Sequence, residues 1–451
     1  MTTLVLPSRQ EEAWRWSDPG EIEAAAKIRR AATRIDRPTM FVPIPGPKLV
    51  FIDGYYDEDW SEPEGFALGH AELTSAHPLG ALAKGQGREL RFGPDTATTV
   101  QILHVSTGGA DHMPQRIALD EDAAVTLVET FVGAGWANRL TRIELARSAR
   151  LMRAVRLQLD EGFVSLRDEA EVGTGASLTS TVLAAGPMGT RIDAAINLAG
   201  EGAYAEMSGA LLGRDRQRHD VNIVLRHDVP NGMSRQVWRS VADDNATCSV
   251  AARVEVARDA QQTDGEQSLK GLLLARSAVI NAKPELEIFA DDVKCAHGAT
   301  VGELDRNALF DLESRGVGPE EAKGLLTRAF VADALDRIGE EKVREAFYAD
   351  AEAWFSPLPS GERDCSPRLA LRLSGDPGGV GLSGQRRNGT EAEGGDRRDR
   401  AGLWRDLCDR ASRRLPALGG HDACLRGVAA AGRRIRQRAA GRGSGVRAWR
   451  D

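Results

Sequence analysis

The sequence predicts a mainly β protein with helical regions on either side of its core. Three observations carry this. From about Thr98 to Thr300 the chain is a nearly unbroken series of short alternating runs, among them VQILHVST, AVTLVETFVG, RIDAAINLAG and ARVEVARDA. Side chains alternate faces along a strand, so such runs read as half-buried strands. Stripes at helical spacing precede and follow this block, and beyond about Ser356 no apolar period survives for long. Gly, Asp or Asn separates many of the strand runs. Such monotony fits either a sandwich or a solenoid whose coils stack through small residues such as Ala195, Ala203 and Ala210. There is no strict fixed-length repeat, and periodicity alone leaves both architectures open.

In chain order, Glu21, Ala24, Ala25, Ile28 and Ala32 recur at helical spacing until Pro38 ends the run. The WRW of Trp14 to Trp16 reads as a packing anchor, with ligand stacking as the rarer alternative. Short extended pieces, MFVPI and KLVFIDGYY, follow between Met40 and Leu90, and Ser75 to Lys84 reads as a short helix or turn. After the strand block, Leu304, Ala308, Leu309 and Leu312 form a helical stripe closed by Gly316. Pro319 opens the next helix with Glu320 and Glu321 in its first turn, where acids are favourable. That helix is expected to bury Ala322, Leu325, Leu326, Ala329 and Phe330, then Leu335 and Ile338; a last helix offers Val343, Phe347 and Trp354.

The chain of 451 residues can hold more than one domain, and its net charge of −7 hides an asymmetry. Residues 356–451 carry twenty Arg against eleven acids, with no Lys, Phe or Tyr and one Ile, Ile435. This composition predicts a tail without a packed core. Acids interrupt much of the tail, which argues against a nucleic-acid arm built on Arg434, Arg436, Arg438 and Arg442. Arg without Lys, with Gly, Ala and Pro, is also what GC-rich DNA encodes out of frame, so a frameshift near residues 355–357 is expected. On that reading Cys365, Cys408 and Cys424 carry no chemistry. No apolar run has membrane-spanning length, and the N-terminus lacks a basic start before an apolar block, so a cytoplasmic protein is expected. The five Cys form no CxxC pair.

The most informative stretch is KPELEIFADDVKCAHGATVG, Lys283 to Gly302. Read as a strand, it projects Cys295 and His297 to one side. A thiol and an imidazole are soft ligands suited to iron, zinc or copper, but a closed site needs about four. The pair is therefore half a site, to be completed from elsewhere. Lys294 faces the opposite way. Asp291 and Asp292 are adjacent and point to opposite faces, which favours turn formation over a catalytic dyad.

This stretch, with LESRGVGPEEAKGLLTRAF (Leu312 to Phe330), resembles the SufB/SufD family of iron–sulfur cluster assembly proteins. It is most similar to the SufD pattern ADDVKCSHGATVG followed by LFYLRSRG. Ala296, Asp311 and Glu313 depart from that pattern, and none of the departures falls on Cys295 or His297. HDVPNGMSRQVW, ARDAQQTD and LLLA extend the resemblance back to about residue 95, PSRQEEAWRW more faintly to Pro7, and it runs forward to about Phe355. The resemblance implies a right-handed parallel β-helix. It divides the chain into an N-terminal helical or mixed domain (1–95), a β-helix core (96–302), a C-terminal helical domain (303–355) and the tail. It implies a non-catalytic scaffold subunit that pairs with a SufB-like chain through the β-helix and binds a SufC-like ATPase through helices between about Pro319 and Trp354. His297, with Cys295, is the position that would help hold a transient iron–sulfur cluster shared with the SufB-like partner. SufB proteins carry a sulfur-accepting Cys before their last core strands, whereas Asp259 to Ile280 here contains none. Flavin is implied only for the whole complex, with no motif here to place it.

His227 matches a histidine common to the family core and reads first as a turn histidine; His104 and His112 have no supporting constellation, and Cys248 reads as packing. No GxxxxGK[ST] phosphate loop or GxSxG elbow is present, and no GxGxxG opens a helix after a strand. Two rival readings stand beside the scaffold: a structural adaptor in which Cys295 and His297 are only core, and a β-helix carbohydrate-active enzyme, which would need clustered acids on a groove.

Overall fold

The computed structural model describes residues 6–29, 40–186 and 188–355. Ala32 and Pro38 of the first helical stripe, and the tail from 356 with Cys365, Cys408 and Cys424, lie outside the described residues, as does most of the expected frameshift region.

A single 3-10 turn at Glu12–Trp14 leads into α1 (Pro19–Ala25), which Asp18 caps by accepting the Gly20 N–H, and which buries Ile22 and Ala25. Strands β1 (Lys48–Ile52), β2 (Tyr55–Tyr56) and β3 (Gly69–Leu73) follow, then α2 (Pro78–Leu82) and β4 (Gly85–Phe92). Three long strands come next, β5 (Ala97–Leu119), β6 (Ala124–Leu145) and β7 (Arg150–Val172). Then the chain breaks into shorter ones: β8 (Ser177–Ala184), β9 (Gly189–Leu198), β10 (Tyr204–Gly213), β11 (Arg218–His227), β12 (Met233–Ala242), β13 (Thr247–Val256), β14 (Thr263–Leu273), β15 (Val279–Ile288) and β16 (Val293–Glu303).

The pairing resolves the choice between sandwich and solenoid. The first half of β7 pairs with β8 and its second half with β9, both in parallel. From there each strand pairs with the next but one, giving one wall β8-β10-β12-β14-β16 and a second wall β9-β11-β13-β15. This is a flattened parallel β-solenoid. β1 and β4 also pair in parallel with β5, so the sheet continues back past residue 95.

The corners explain the missing repeat. Asp95, Asp122, Ser148, Gly175, Gly202, Asn231 and Gln262 all hold positive φ at the same corner of successive coils. Neighbouring coils are joined there, for example by Ser148 N–H to Thr174 O at 2.9 Å and Asn231 N–H to Gln261 O at 3.0 Å. Only two of these seven are Gly; Asp and Asn tolerate the left-handed region well enough that residue identity varies. Coil length varies too, from 26 residues between the paired Ala124 and Arg150 to 32 between Thr247 and Val279.

The interior is filled by Val, Leu, Ile and Ala, with Trp238 as its largest side chain, while Trp136 packs on the outer face against Trp14, Ile22 and Leu79. It also holds charges. Arg153 bridges Glu129 (Nε, 2.5 Å) and Asp168 (Nη1, 2.6 Å), and His104 Nε2 reaches Glu129 at 3.2 Å. Burial alone would raise the Glu129 carboxyl, but Arg153 and His104 outweigh it and hold it well below the usual carboxylate range.

α3 (Arg306–Glu313), α4 (Pro319–Leu335) and α5 (Glu341–Phe355) close the described chain. Gly316, at φ +89°, ends α3. α4 and α5 lie on the outer face of the first wall, where Val331, Leu335, Val343 and Phe347 pack against Ala154, Leu183, Leu212 and Val241. Arg156 grips Asp350 with two hydrogen bonds, at 2.7 and 2.9 Å, and Arg239 pairs with Asp333. α4 is turned relative to its expected stripe. It buries Ala322, Thr327, Val331, Ala334 and Leu335, leaving Leu325, Leu326 and Phe330 half-covered and Ala329 exposed. The Arg239–Asp333 pair faces the wall and fixes this rotation, a long-range constraint that local periodicity does not carry. No helix among the described residues is long and apolar enough to cross a membrane.

Candidate functional site

Among the described residues β16 is the last strand of its wall and pairs only with β14, leaving its outer backbone edge open there. On β14 the buried positions Thr263, Gly265, Gln267, Leu269 and Gly271 face inward. Their register partners on β16 are Val293, Cys295, His297, Ala299 and Val301. Cys295 and His297 therefore share the inward face, on the last rung, where no further coil covers them.

The two groups differ in environment. Cys295 is half-buried and packs with Leu286 and Val293 against Val254, Val256 and Ala290. Gly265 makes room for it, since a Cβ there would lie 3.3 Å from its Sγ. Burial pushes the Cys295 thiol up, and a hydrogen bond from the Gly265 backbone offsets this only in part. His297 is exposed and makes no hydrogen bond to any described residue. Lys294 is exposed on the other face, in register with Asp264. Around this open end, Val279, Ile288, Phe289 and Val301 are exposed apolar side chains, with Phe289 at 64%. Among the described residues no group of three or more His, Cys, Asp or Glu is placed to hold a metal ion.

The other candidates have structural employment. Asp291 and Asp292 lie exposed at the corner before β16, where the Asp292 carbonyl accepts the Gln262 N–H at 2.6 Å. His227 is buried with Nε2 2.9 Å from Ser234 Oγ, and Cys248 is buried with its thiol pushed up to about 12 by burial. His104 stacks on Phe131, and His112 contacts Asn138 and the edge of Trp136. Trp14 is buried with the Arg191 guanidinium 4.4 Å from its ring, and Trp16 is half-buried. A cavity of about 710 Å³ beside α1 is lined by Glu21, Glu161, Asp215 and Asp244. Two of these acids are engaged: Glu21 with Arg218 at 3.1 Å and Asp244 with the Asp215 N–H at 3.2 Å. Asp215 and Asp244 both form left-handed corners, which accounts for their type without carbohydrate chemistry.

Burial also holds His219 and His227 down to about 4. An unfolded histidine titrates near 6.5, so between about pH 6.5 and 4 the unfolded chain binds protons that the folded chain refuses. This contribution to stability is complete above about pH 6.5 and is lost as pH falls toward 4, by ~3 kcal/mol for His219. Melting curves across that range should show Tm falling with pH, and less steeply in His219→Gln. A flat profile would contradict the assignment.

Comparison with known proteins adds the following. The family described as "SUF system FeS cluster assembly, SufBD core domain" matches residues 104–330, half of the chain. The iron–sulfur cluster assembly protein SufD of Escherichia coli is 25% identical over 374 residues, covering 76% of this chain and 88% of that protein. An iron–sulfur cluster assembly SufBD family protein of Synechocystis is 24% identical over 386 residues, covering 74% and 84%. The chloroplastic protein ABCI7 of Arabidopsis thaliana is 29% identical over 241 residues, 51% of this chain and 50% of that protein.

Proposed function

This chain belongs to the SufB/SufD family of iron–sulfur cluster assembly proteins, and from that membership we propose that it is the SufD-like subunit of a SufB–SufC–SufD scaffold, acting in the cytoplasm without catalysing a reaction of its own. The observation that carries the reading is the position of His297: exposed, on the inward face of the last rung, beside the Cys295 thiol. A soft nitrogen and a soft sulfur at an uncapped end form part of a coordination sphere that a second chain can complete. The cluster is cargo, assembled between the two chains and passed on. His297 is the accessible donor; Cys295, packed into an apolar cluster, presents its sulfur from behind.

The edges favour β16 as the docking strand. An open strand edge invites pairing, and proteins blunt it with Lys and Pro. β15 carries both, Lys283 and Pro284, and Lys283 is tied to Glu12 at 2.5 Å. β16 has no Pro, and its one Lys, Lys294, lies at its start, before Cys295. A SufB-like subunit would therefore add to β16 and close the open end over His297. Helices α4 and α5, between about Pro319 and Trp354, are the surface we assign to a SufC-like ATPase, whose nucleotide cycle would bias the shared site. No membrane or nucleic-acid partner is invoked, and no residue of this chain is assigned to flavin.

The test is co-expression with the SufB-like and ATPase subunits, comparing wild type with His297→Ala. The purified complex is read by ultraviolet–visible spectra with iron and sulfide analysis. Loss of an outer-sphere partner alone costs about 10–100-fold in metal affinity, so removing the donor should lower cluster content by at least about 10-fold. Undiminished content would remove His297 from the mechanism and favour the adaptor reading.

A further inference from the structure

The rung directly beneath His297 is Gln267. Its side chain is 1% exposed, and Nε2 donates to Ala252 O at 2.8 Å and to Gln236 Oε1 at 2.6 Å. A backbone carbonyl only accepts, so the Ala252 contact fixes which end of the amide is nitrogen. The amide oxygen is thereby held in place as an acceptor, and Gln267 Oε1 has no hydrogen-bond partner among the described residues. A buried acceptor left in that state is destabilising. Neighbouring strands lie about 4.8 Å apart, so side chains on successive rungs of one column are within reach of each other. Gln236 Nε2, one rung below, also has no partner among the described residues, but its amide already meets Gln267 through Oε1; the imidazole one rung above is the donor on the open side.

We propose that Gln267 is the positioning residue for His297. Rotation of the exposed imidazole over the rung, away from the unbonded rotamer of the structure, lets Gln267 Oε1 accept a hydrogen bond from one ring N–H of His297. This fixes the tautomer and orients the lone pair of the other ring nitrogen toward the open end, where a partner chain would dock. An outer acceptor that sets the tautomer is the general arrangement behind metal-ligating histidines. The inference rests on reading His297 as a donor to the nascent cluster, yet its claim concerns a ring present in the isolated, metal-free chain. Sequence spacing conceals the relation: thirty residues separate the two, and only the register of β14 with β16 brings them together.

The full chain, labelled with 15N in its eight histidines, tests this by the ring nitrogen shifts at about pH 8.5, above ordinary imidazole titration. His297→Ala assigns the resonances. Wild type should show His297 as one tautomer. Gln267→Leu, similar in size but without an acceptor, should shift it to the mixture of a free histidine side chain, whereas Gln267→Glu should keep the single form. In the co-purified complex, cluster content should fall about 10-fold in Gln267→Leu and return in Gln267→Glu. A free-histidine mixture in the wild-type chain would overturn the inference whether or not the Leu variant folds, as would a single tautomer retained in Gln267→Leu. Failure of the underlying reading looks different: undiminished cluster content in His297→Ala removes the ligand role even where the tautomer depends on Gln267.

Discussion

Replacing Arg153 with Met is expected to destabilise the solenoid by ~3–5 kcal/mol, the cost of breaking a buried ion pair by removing one partner. Arg153 is 1% exposed and is the shared counter-ion of Glu129 and Asp168. Met preserves much of the stem volume, so the loss reports uncompensated charge rather than a cavity. Two buried carboxylates would remain, and only Glu129 keeps a second partner in His104. Because coils contact mainly their neighbours, the damage should concentrate there. Hydrogen exchange should show β6, β7 and β8 losing protection first, with the urea midpoint lowered. Adding Glu129→Gln and Asp168→Asn should recover a large part of the loss, since the penalty comes from unpaired charge. An unchanged midpoint in Arg153→Met would mean that the network contributes little.

Phe289→Asp is expected to weaken docking of a SufB-like subunit by about 2 kcal/mol or more, roughly 30-fold in Kd, the size of effect that interface hot spots carry. Phe289 follows β15, is 64% exposed, and stands beside exposed Ile288 at the open end. An exposed apolar cluster of this kind marks an interaction surface. Its backbone N–H still donates to Val256 O at 2.9 Å, a bond that the substitution leaves in place, so the isolated chain should keep its circular dichroism and Tm. Val301→Asp, on β16 at 44% exposure, should act in the same direction. Affinity unchanged in both variants would show that the partner docks elsewhere.

Legibility in the sequence followed the range of the interactions involved. Alternation exposes strands because burial on one face is a local property, and α5 buries Val343, Phe347 and Trp354 as its stripe requires. The solenoid itself is hidden, because its corners use Asp95, Ser148, Gly202 and Gln262 interchangeably and its coils differ in length. The rotation of α4 is set by Arg239 on a distant strand. At the site, the shared face of Cys295 and His297 follows from their spacing of two residues. Their unequal exposure does not: Cys295 sits within Val254, Val256 and Leu286, whereas His297 lies beyond that cluster. Glu129 and Arg153 are also indistinct in sequence, since isolated charges in strands ordinarily face solvent.

The central claim is that a nitrogen from this chain ligates a cluster held between two polypeptides. Pulsed electron paramagnetic resonance of the reduced complex, with 15N-histidine supplied only in this chain, reads that bond directly. A 15N hyperfine coupling of directly bound strength that vanishes in His297→Ala is the expected result. A fully formed cluster showing no such coupling would contradict it.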